Sequence, residues 1–378
     1  MSGACVEVVG LEGAAASENA WRDLSVRAIE ANVFAEPAFV LNALRHFART
    51  DRLRLLFVWG DESRERLIGA IVLEFPRISV GFGVARAWQS NQAGLAALML
   101  DREATEQALG AIMDWLARER PKIVGLLLPT LDVAGPTVLA VRALCSRRSA
   151  QFHLFGQRGR ASLAAAAKLA RGFEGALPKK RLKEWSRQMR RLKERGEVAF
   201  RVASDGAAVE KFLALEAKGW KGAQHTALGA DVGLAAFTRS TLASLAGEGK
   251  LAIQLLELDG VAIAIGVMLR AGDRAFYWKT AYEESYAEYS PGLQLTLELS
   301  RAQQRDPAIA TTDSCAIEGH PMIERLWTAR LALIDGIVAL RPGPARGLRL
   351  WLAGETAKRR LRETAKRLIN PLRGRKRS

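Results

Sequence analysis

The sequence predicts an α/β (α+β) chain of two successive units, each a mixed, mainly antiparallel sheet flanked by helices, followed by a basic C-terminal helix. Three observations carry this. Residues 251–282 read as three consecutive strands, the first two joined by Asp259-Gly260, the dipeptide best suited to a type I′ hairpin turn. Tyr289-Ser290-Pro291-Gly292 then turns the chain from the third strand into a helix. The first part of the chain repeats the same plan more faintly.

That fainter plan begins at Asn32-Val33-Phe34-Ala35-Glu36-Pro37. Strand-like Leu53–Trp59 and Leu67–Glu74 follow, then a helix near 103–117 and an apolar strand at 122–128. Gly81-Phe82-Gly83 is not followed closely by a helix, so this part shows no phosphate turn. Alanine-rich 161–170 reads as a short helix or linker, and Gly175-Ala176-Leu177-Pro178 as a boundary. The expected units are 1–160 and 179–345, with a linker at 161–178 and a tail at 346–378.

The second unit opens on a basic helix, 179–193, whose Leu182, Trp185, Met189 and Leu192 recur at spacings of three and four. One face is therefore buried. The other is either a solvated linker surface or a cationic wall beside a cleft. Helices are expected at 208–220 and 232–246, strands at Leu251–Leu258 and 261–269, and an alternating strand at 274–282. After the turn, Leu293, Leu295, Leu297, Leu299 and Ala302 mark a helix over 293–305. A short strand near 310–316 comes next, and a last helix around 321–331 carries Met322, Leu326 and Trp327 at helical spacing. The first amides of a helix lack backbone partners, and the helix dipole makes them a seat for phosphate or pyrophosphate. The Tyr289–Gly292 turn is thus the candidate anion site.

Read together, Glu216 to Gly222 with Thr226-Ala227, Lys279-Thr280-Ala281-Tyr282, Tyr289-Ser290-Pro291-Gly292, Asp313-Ser314-Cys315-Ala316, and His320-Pro321-Met322-Ile323 with Trp327 resemble the GNAT superfamily of N-acyltransferases. They are most similar to its cellulose-biosynthesis-associated branch, which also resembles the Fem-type aminoacyl transferases. The resemblance spans roughly residues 180–340. It implies tandem GNAT-like domains, the first degenerate. It also implies an acyl-coenzyme A (acetyl-coenzyme A) co-substrate gripped through its pyrophosphate at Tyr289, Ser290, Pro291, Gly292 and Leu293. The usual glycine-rich loop is here reduced to Ser-Pro-Gly. Trp220, Lys221 and His225 fall where the superfamily places an acceptor-side lid.

Acyl transfer to an amine needs a neutral nucleophile, a polarised carbonyl and a proton for the leaving group. Asp313, at the end of the short strand, is a candidate to orient or deprotonate the acceptor ammonium, or it caps the next segment. Lys279 is a candidate to hold a phosphate or polarise a carbonyl. Tyr282, Tyr286 or Tyr289 would protonate a leaving thiolate, or fill a seam. Lys279 and Tyr282 lie three apart on a strand and so point to opposite faces. Cys315 reads as a buried thiol and His320 as a helix-start residue. The acceptor class is a small-molecule or cell-envelope-precursor amine. Competing readings are an aminoacyl-tRNA-dependent transferase and a non-catalytic binding module at a membrane-bound polysaccharide machine.

Three cysteines without a CxxC spacing, four scattered histidines and no 20-residue apolar run point to a reduced, cytosolic protein lacking a structural zinc or a membrane span. No secretory signal is visible after Met1. The net charge of +16 is concentrated: from Arg341 to Ser378 there are 13 Lys or Arg against Glu355 and Glu363, a net +11. Leu350, Ala357, Leu361, Ala365 and Leu368 form an apolar stripe along this tail, with Trp351 and Leu352 beside it. Such a helix suits an anionic membrane surface at the inner face of the membrane, nucleic acid, or docking on its own domain.

Overall fold

A mixed sheet runs through both halves of the chain in the computed structural model, which describes residues 3–48, 51–77, 82–164, 172–341, 346–358 and 361. The amino-terminal half contributes β1 (Cys5–Val9), α1 (Leu11–Ala16), α2 (Glu18–Arg27), α3 (Pro37–His46), β2 (Leu53–Trp59) and β3 (Leu67–Glu74). It continues with β4 (Gly83–Ala87), β5 (Leu98–Leu100), α4 (Thr105–Glu119), β6 (Ile123–Asp132), α5 (Pro136–Arg147) and β7 (Phe152–Ala164). The carboxy-terminal half begins with α6 (Lys179–Lys193), β8 (Val198–Ala203), α7 (Gly206–Lys218), α8 (Trp220–Ala223) and α9 (Val232–Gly247). Then come β9 (Leu251–Leu258), β10 (Val261–Ala271), β11 (Arg274–Tyr282), α10 (Pro291–Arg305), β12 (Thr311–Asp313) and β13 (Ala329–Ala339).

The strand order is β1-β2-β3-β4-β6-β13-β7-β12-β11-β10-β9-β8, with β5 on β3. Two pairs are parallel, β4 with β6 and β11 with β12. Each half therefore has one parallel pair fed by a crossover helix, α4 or α10. The halves exchange strands: β13 runs between β6 and β7, and β7 reaches across to β12.

Helices α2, α3, α7 and α9 cover one face across both halves, over a core that includes Phe34, Phe39, Phe57, Phe237, Phe276 and Trp278. Phe39 meets Phe237 edge-on at 5.2 Å, and Phe34 meets Phe276 at 5.2 Å. These contacts lock the halves together, since edge-to-face pairs add about 0.5–1.5 kcal/mol each beyond area burial. The other face is covered by α4 and α5 in the amino half and by α6 and α10 in the carboxy half.

The hairpin forms as expected, with Asp259 and Gly260 both at positive φ (49° and 77°). Two expectations are corrected. Residues 161–164 are strand, the end of β7, because pairing on both sides with β12 and β13 overrides alanine's helical propensity; 165–170 lie outside the described residues. No helix forms over 321–331 either. Ile323–Arg325 is a single 3₁₀ turn, and from Ala329 the chain is β13, whose Leu333, Ile337, Val338 and Ala339 are buried inside the sheet. Met322 and Trp327 pack down on α10 instead.

The tail is helical over 346–358, but its inward face is Leu348, Trp351 and Leu352, against Val84, Leu127, Ile337 and Ala339. The expected stripe faces outward: Leu350 is 65 % and Leu361 71 % exposed, and Ala357 is exposed. Ala365 and Leu368 lie outside the described residues. Among the described residues no helix is long and apolar enough to cross a membrane.

Candidate active site

β11 and β12 pair only over Arg274–Phe276 and Thr311–Asp313 and then part, opening a wedge bordered by Trp278 to Tyr282 on one side and Ser314 onward on the other. β11 carries an extra residue at this point. Its register on β10 shifts between Tyr277, opposite Met268, and Lys279, opposite Val267, leaving Trp278 as a bulge. A bulge re-aims side chains where a strand meets a site.

Trp278 packs toward Phe39 and Phe237, and its indole N–H donates to the Gln92 carbonyl at 2.6 Å. Lys279 places its ammonium 5.5 Å from the centre of the Trp278 ring. Tyr282 lies on the opposite face, where its ring is 3.3 Å from the position a Cβ would take on Gly292, with Met322 beside it. The opposite-face expectation for Lys279 and Tyr282 is met.

Asp313 does not open into the wedge. It is 1 % exposed, accepts from Arg160 of β7 at 3.0 Å and from Arg274 at 3.4 Å, and takes the Cys315 amide on its other oxygen at 2.8 Å. Its carboxylate is the centre of a buried ion pair between the two halves, so the premise that made it a base is not met. Arg160 also donates to the Gly94 carbonyl at 3.0 Å. Sequence reasoning missed this group because its members stand up to 219 positions apart, and only the amide-rich run Gln89-Ser90-Asn91-Gln92 hinted at a polar loop.

The turn itself is a 3₁₀ segment, Glu284–Tyr289, ending at Ser290 in the left-handed region (φ 53°). Pro291 has no amide, and the Ser290 carbonyl takes both the Leu293 and Gln294 amides at 3.0 Å. Of the first four residues of α10, only Gly292 keeps an amide that this carbonyl does not engage. Glu283, Glu284 and Glu288 flank it. These residues do not fit a pyrophosphate gripped by a row of loop amides.

α6 roofs the same turn. Its Trp185 carbonyl accepts from Gln294 at 2.9 Å, and Arg191 lies over the Tyr289 ring and pairs with Glu288 at 2.9 Å. Its outer face, continued to Arg195, carries nine Lys or Arg against Glu184 and Glu194, a net +7. The loop that the sequence marks as an expected acceptor-side lid starts beside this end of β11: a Cβ on Gly219 would stand 3.4 Å from Glu284 Oε1. Trp220 and Lys221 form the short α8, and His225 is exposed with φ 55°. Buried Glu216 anchors the loop by accepting the Leu228 amide at 2.8 Å.

The structure thus brings Tyr282, the 289–293 turn and the 219–225 loop to one mouth, with Lys279 on the other face and Asp313 in the seam. Burial, and Asp313 beside it, push the Cys315 thiol far up, and burial pushes up the Tyr277 phenol. Among the described residues no cluster of His, Cys, Asp and Glu could hold a metal ion.

Residues 179–314 match the family model described as an acetyltransferase (GNAT) domain. The match runs from the start of α6 to the residue after β12 and stops before β13, the strand that leaves for the other half. Three solved structures share the overall fold. A FemX crystal structure is 9 % identical, with a TM-score of 0.54, over 88 % of this chain and 96 % of that one. The C-terminal DUF2156 domain of an Agrobacterium fabrum protein is 12 % identical, TM-score 0.53, over 91 % and 96 %. A conserved protein of unknown function from Bacteroides thetaiotaomicron is 11 % identical, TM-score 0.52, over 89 % and 99 %. No curated protein matches the chain. The fold is GNAT-like, a large mixed sheet flanked by helices.

Proposed function

We propose that this protein transfers an acyl group to an amine by direct attack, in the wedge where β11 and β12 part. The observation that carries this is the run of parallel pair, bulge at Trp278 and buried crossover helix α10 within the acetyltransferase-matched segment. Lys279, on the Trp278 face, would polarise the acyl carbonyl, and Tyr282, on the opposite face, would border the donor's entry at the mouth. Asp313 would hold the two halves in register. The raised Cys315 thiol supports attack without a covalent intermediate.

Two donor classes compete, and different observations favour each. Acyl-coenzyme A, such as acetyl-coenzyme A, is favoured by the acetyltransferase match. A charged transfer RNA is favoured by the turn, which offers few free amides, and by the +7 face of α6 beside it, since phosphates bind readily to clustered Lys and Arg. A cell-envelope-precursor amine remains the acceptor class, with the cellulose-associated branch as the setting the sequence resemblance suggests. The outward row of Leu350, Ala357 and Leu361 among basic residues would rest on an anionic membrane surface.

The test is transfer of label to ethanolamine from acetyl-coenzyme A and, separately, from alanyl-tRNA. Label appearing in the amine from either donor supports the reading and names the donor. No transfer from both, with intact fold by circular dichroism, removes it.

A further inference from the structure

Between the halves lies a groove of about 510 Å³, within the range of roughly 300–1,000 Å³ usual for small-molecule clefts. Phe47 and Trp88 contribute its apolar side, and Gln89, Ser90, Asn91 and Gln92 a run of polar groups. Glu74 lies on one flank and Asp231, which opens α9, on the other. One lining residue touches the Lys279 side of β11, since the Gln92 carbonyl accepts from the indole N–H of Trp278, the neighbour of Lys279.

The lining chemistry narrows the occupant. Its one cation among the described residues, Arg52, is already paired with Glu74 at 2.8 Å, so the described lining offers a polyanionic donor little. Amide and hydroxyl side chains both donate and accept, which matches ligand hydroxyls. The side-chain oxygen of Gln92 has no donor among the described residues and is shielded from the groove until the side chain turns outward. Such an oxygen is costly until an N–H or O–H reaches it. Asp231 spends one oxygen on the Leu234 amide at 2.8 Å and keeps its charge for an ammonium.

We propose that this groove, built jointly by loop 88–92 and the start of α9, binds the acceptor, and that the acceptor is a polyhydroxylated amine of amino-sugar type. The assignment of the occupant as acceptor rests on the acyl-transfer reading above; the binding chemistry does not.

Glucosamine is the probe, followed by ligand-observed NMR on the full chain without any donor, with N-acetylglucosamine as the uncharged counterpart. Wild type should bind glucosamine at least tenfold more tightly than N-acetylglucosamine. Asp231→Asn, which keeps the helix cap, and Gln92→Leu should each weaken glucosamine at least tenfold while melting within a degree or two of wild type. Equal affinity for the two sugars, undiminished binding in both variants, or no glucosamine binding at all overturns the proposal. Transfer to ethanolamine without glucosamine binding removes the groove and leaves the transferase. Glucosamine binding with no transfer to any amine does the reverse.

Discussion

Asp313 shows how much depends on which neighbours a carboxylate meets. With Arg160 and Arg274 on it and only 1 % exposure, it is paired with two cations that come from different halves of the sheet. Removing one partner of a buried pair typically costs 3–5 kcal/mol, because the remaining charge is stranded. Asp313→Asn should therefore lower stability by about that amount in urea denaturation. A variant with wild-type stability but turnover down by two or more decades would restore Asp313 as the base. Glu36 is a second buried carboxyl at the seam, 2 % exposed, with Lys250 at 2.6 Å and Glu248 and Arg22 close by. Burial raises its pKa from 4.5 to about 7 against the pull of Lys250. The unfolded chain gives up this proton near pH 4.5 and the folded one only near 7. Its contribution is thus complete below 4.5 and is lost as pH rises through 7, by at most about 3 kcal/mol. Between pH 5 and 8 wild type should lose melting temperature relative to Glu36→Gln; parallel curves would place the proton elsewhere.

At the scale of elements, α6 and the turn it roofs behave as one unit. Trp185 and Leu192 are buried against α10 and the sheet, while the exposed face keeps Lys183, Arg187, Arg190 and Lys193. If the donor is a nucleic acid, Arg187→Glu with Arg190→Glu should weaken binding of transfer RNA and reduce the slope of log affinity against log salt by about one to two. Filter binding at several salt concentrations reads both; an unchanged slope would take α6 out of the donor site. The burial of α6 was legible from Leu182, Trp185, Met189 and Leu192, and so were β2, β3, β9 and β11, whose limits match their apolar runs. Those segments carry a clear period and a turn signal at their ends. β13 was not legible, because Met322, Leu326 and Trp327 mimic helical spacing just ahead of it and its partners lie 167 to 214 positions earlier. The candidate site was half legible. The turn and Tyr282 follow from local pattern, whereas the Gln92–Trp278 contact and the Arg160–Asp313 pair are made only by the fold.

Across the whole molecule, the exchange of β7 and β13 decides what can fold alone. A chain cut at the 178/179 peptide would leave β12 without β7 and β13 without both β6 and β7. Unpaired strands expose rows of amides and carbonyls and invite aggregation. The same cut would uncover Phe39 and Phe237, which pack against each other from opposite fragments. Fragment 179–378 should therefore lack a cooperative thermal transition although it contains the entire acetyltransferase-matched segment. Fragments 1–178 and 179–378 made together should instead form a one-to-one complex with the circular dichroism of the intact chain, since neither fragment needs the severed peptide to complete the sheet. Within that complex, ending the second fragment at 345 should lower its melting temperature, because fully buried Leu348 leaves a gap beside Val84 and Ile337, whereas ending it at 358 should not. A fragment 179–378 that unfolds cooperatively by itself, near the intact chain's melting temperature, would show that the exchanged strands are dispensable and that the carboxy-terminal half is an independent unit.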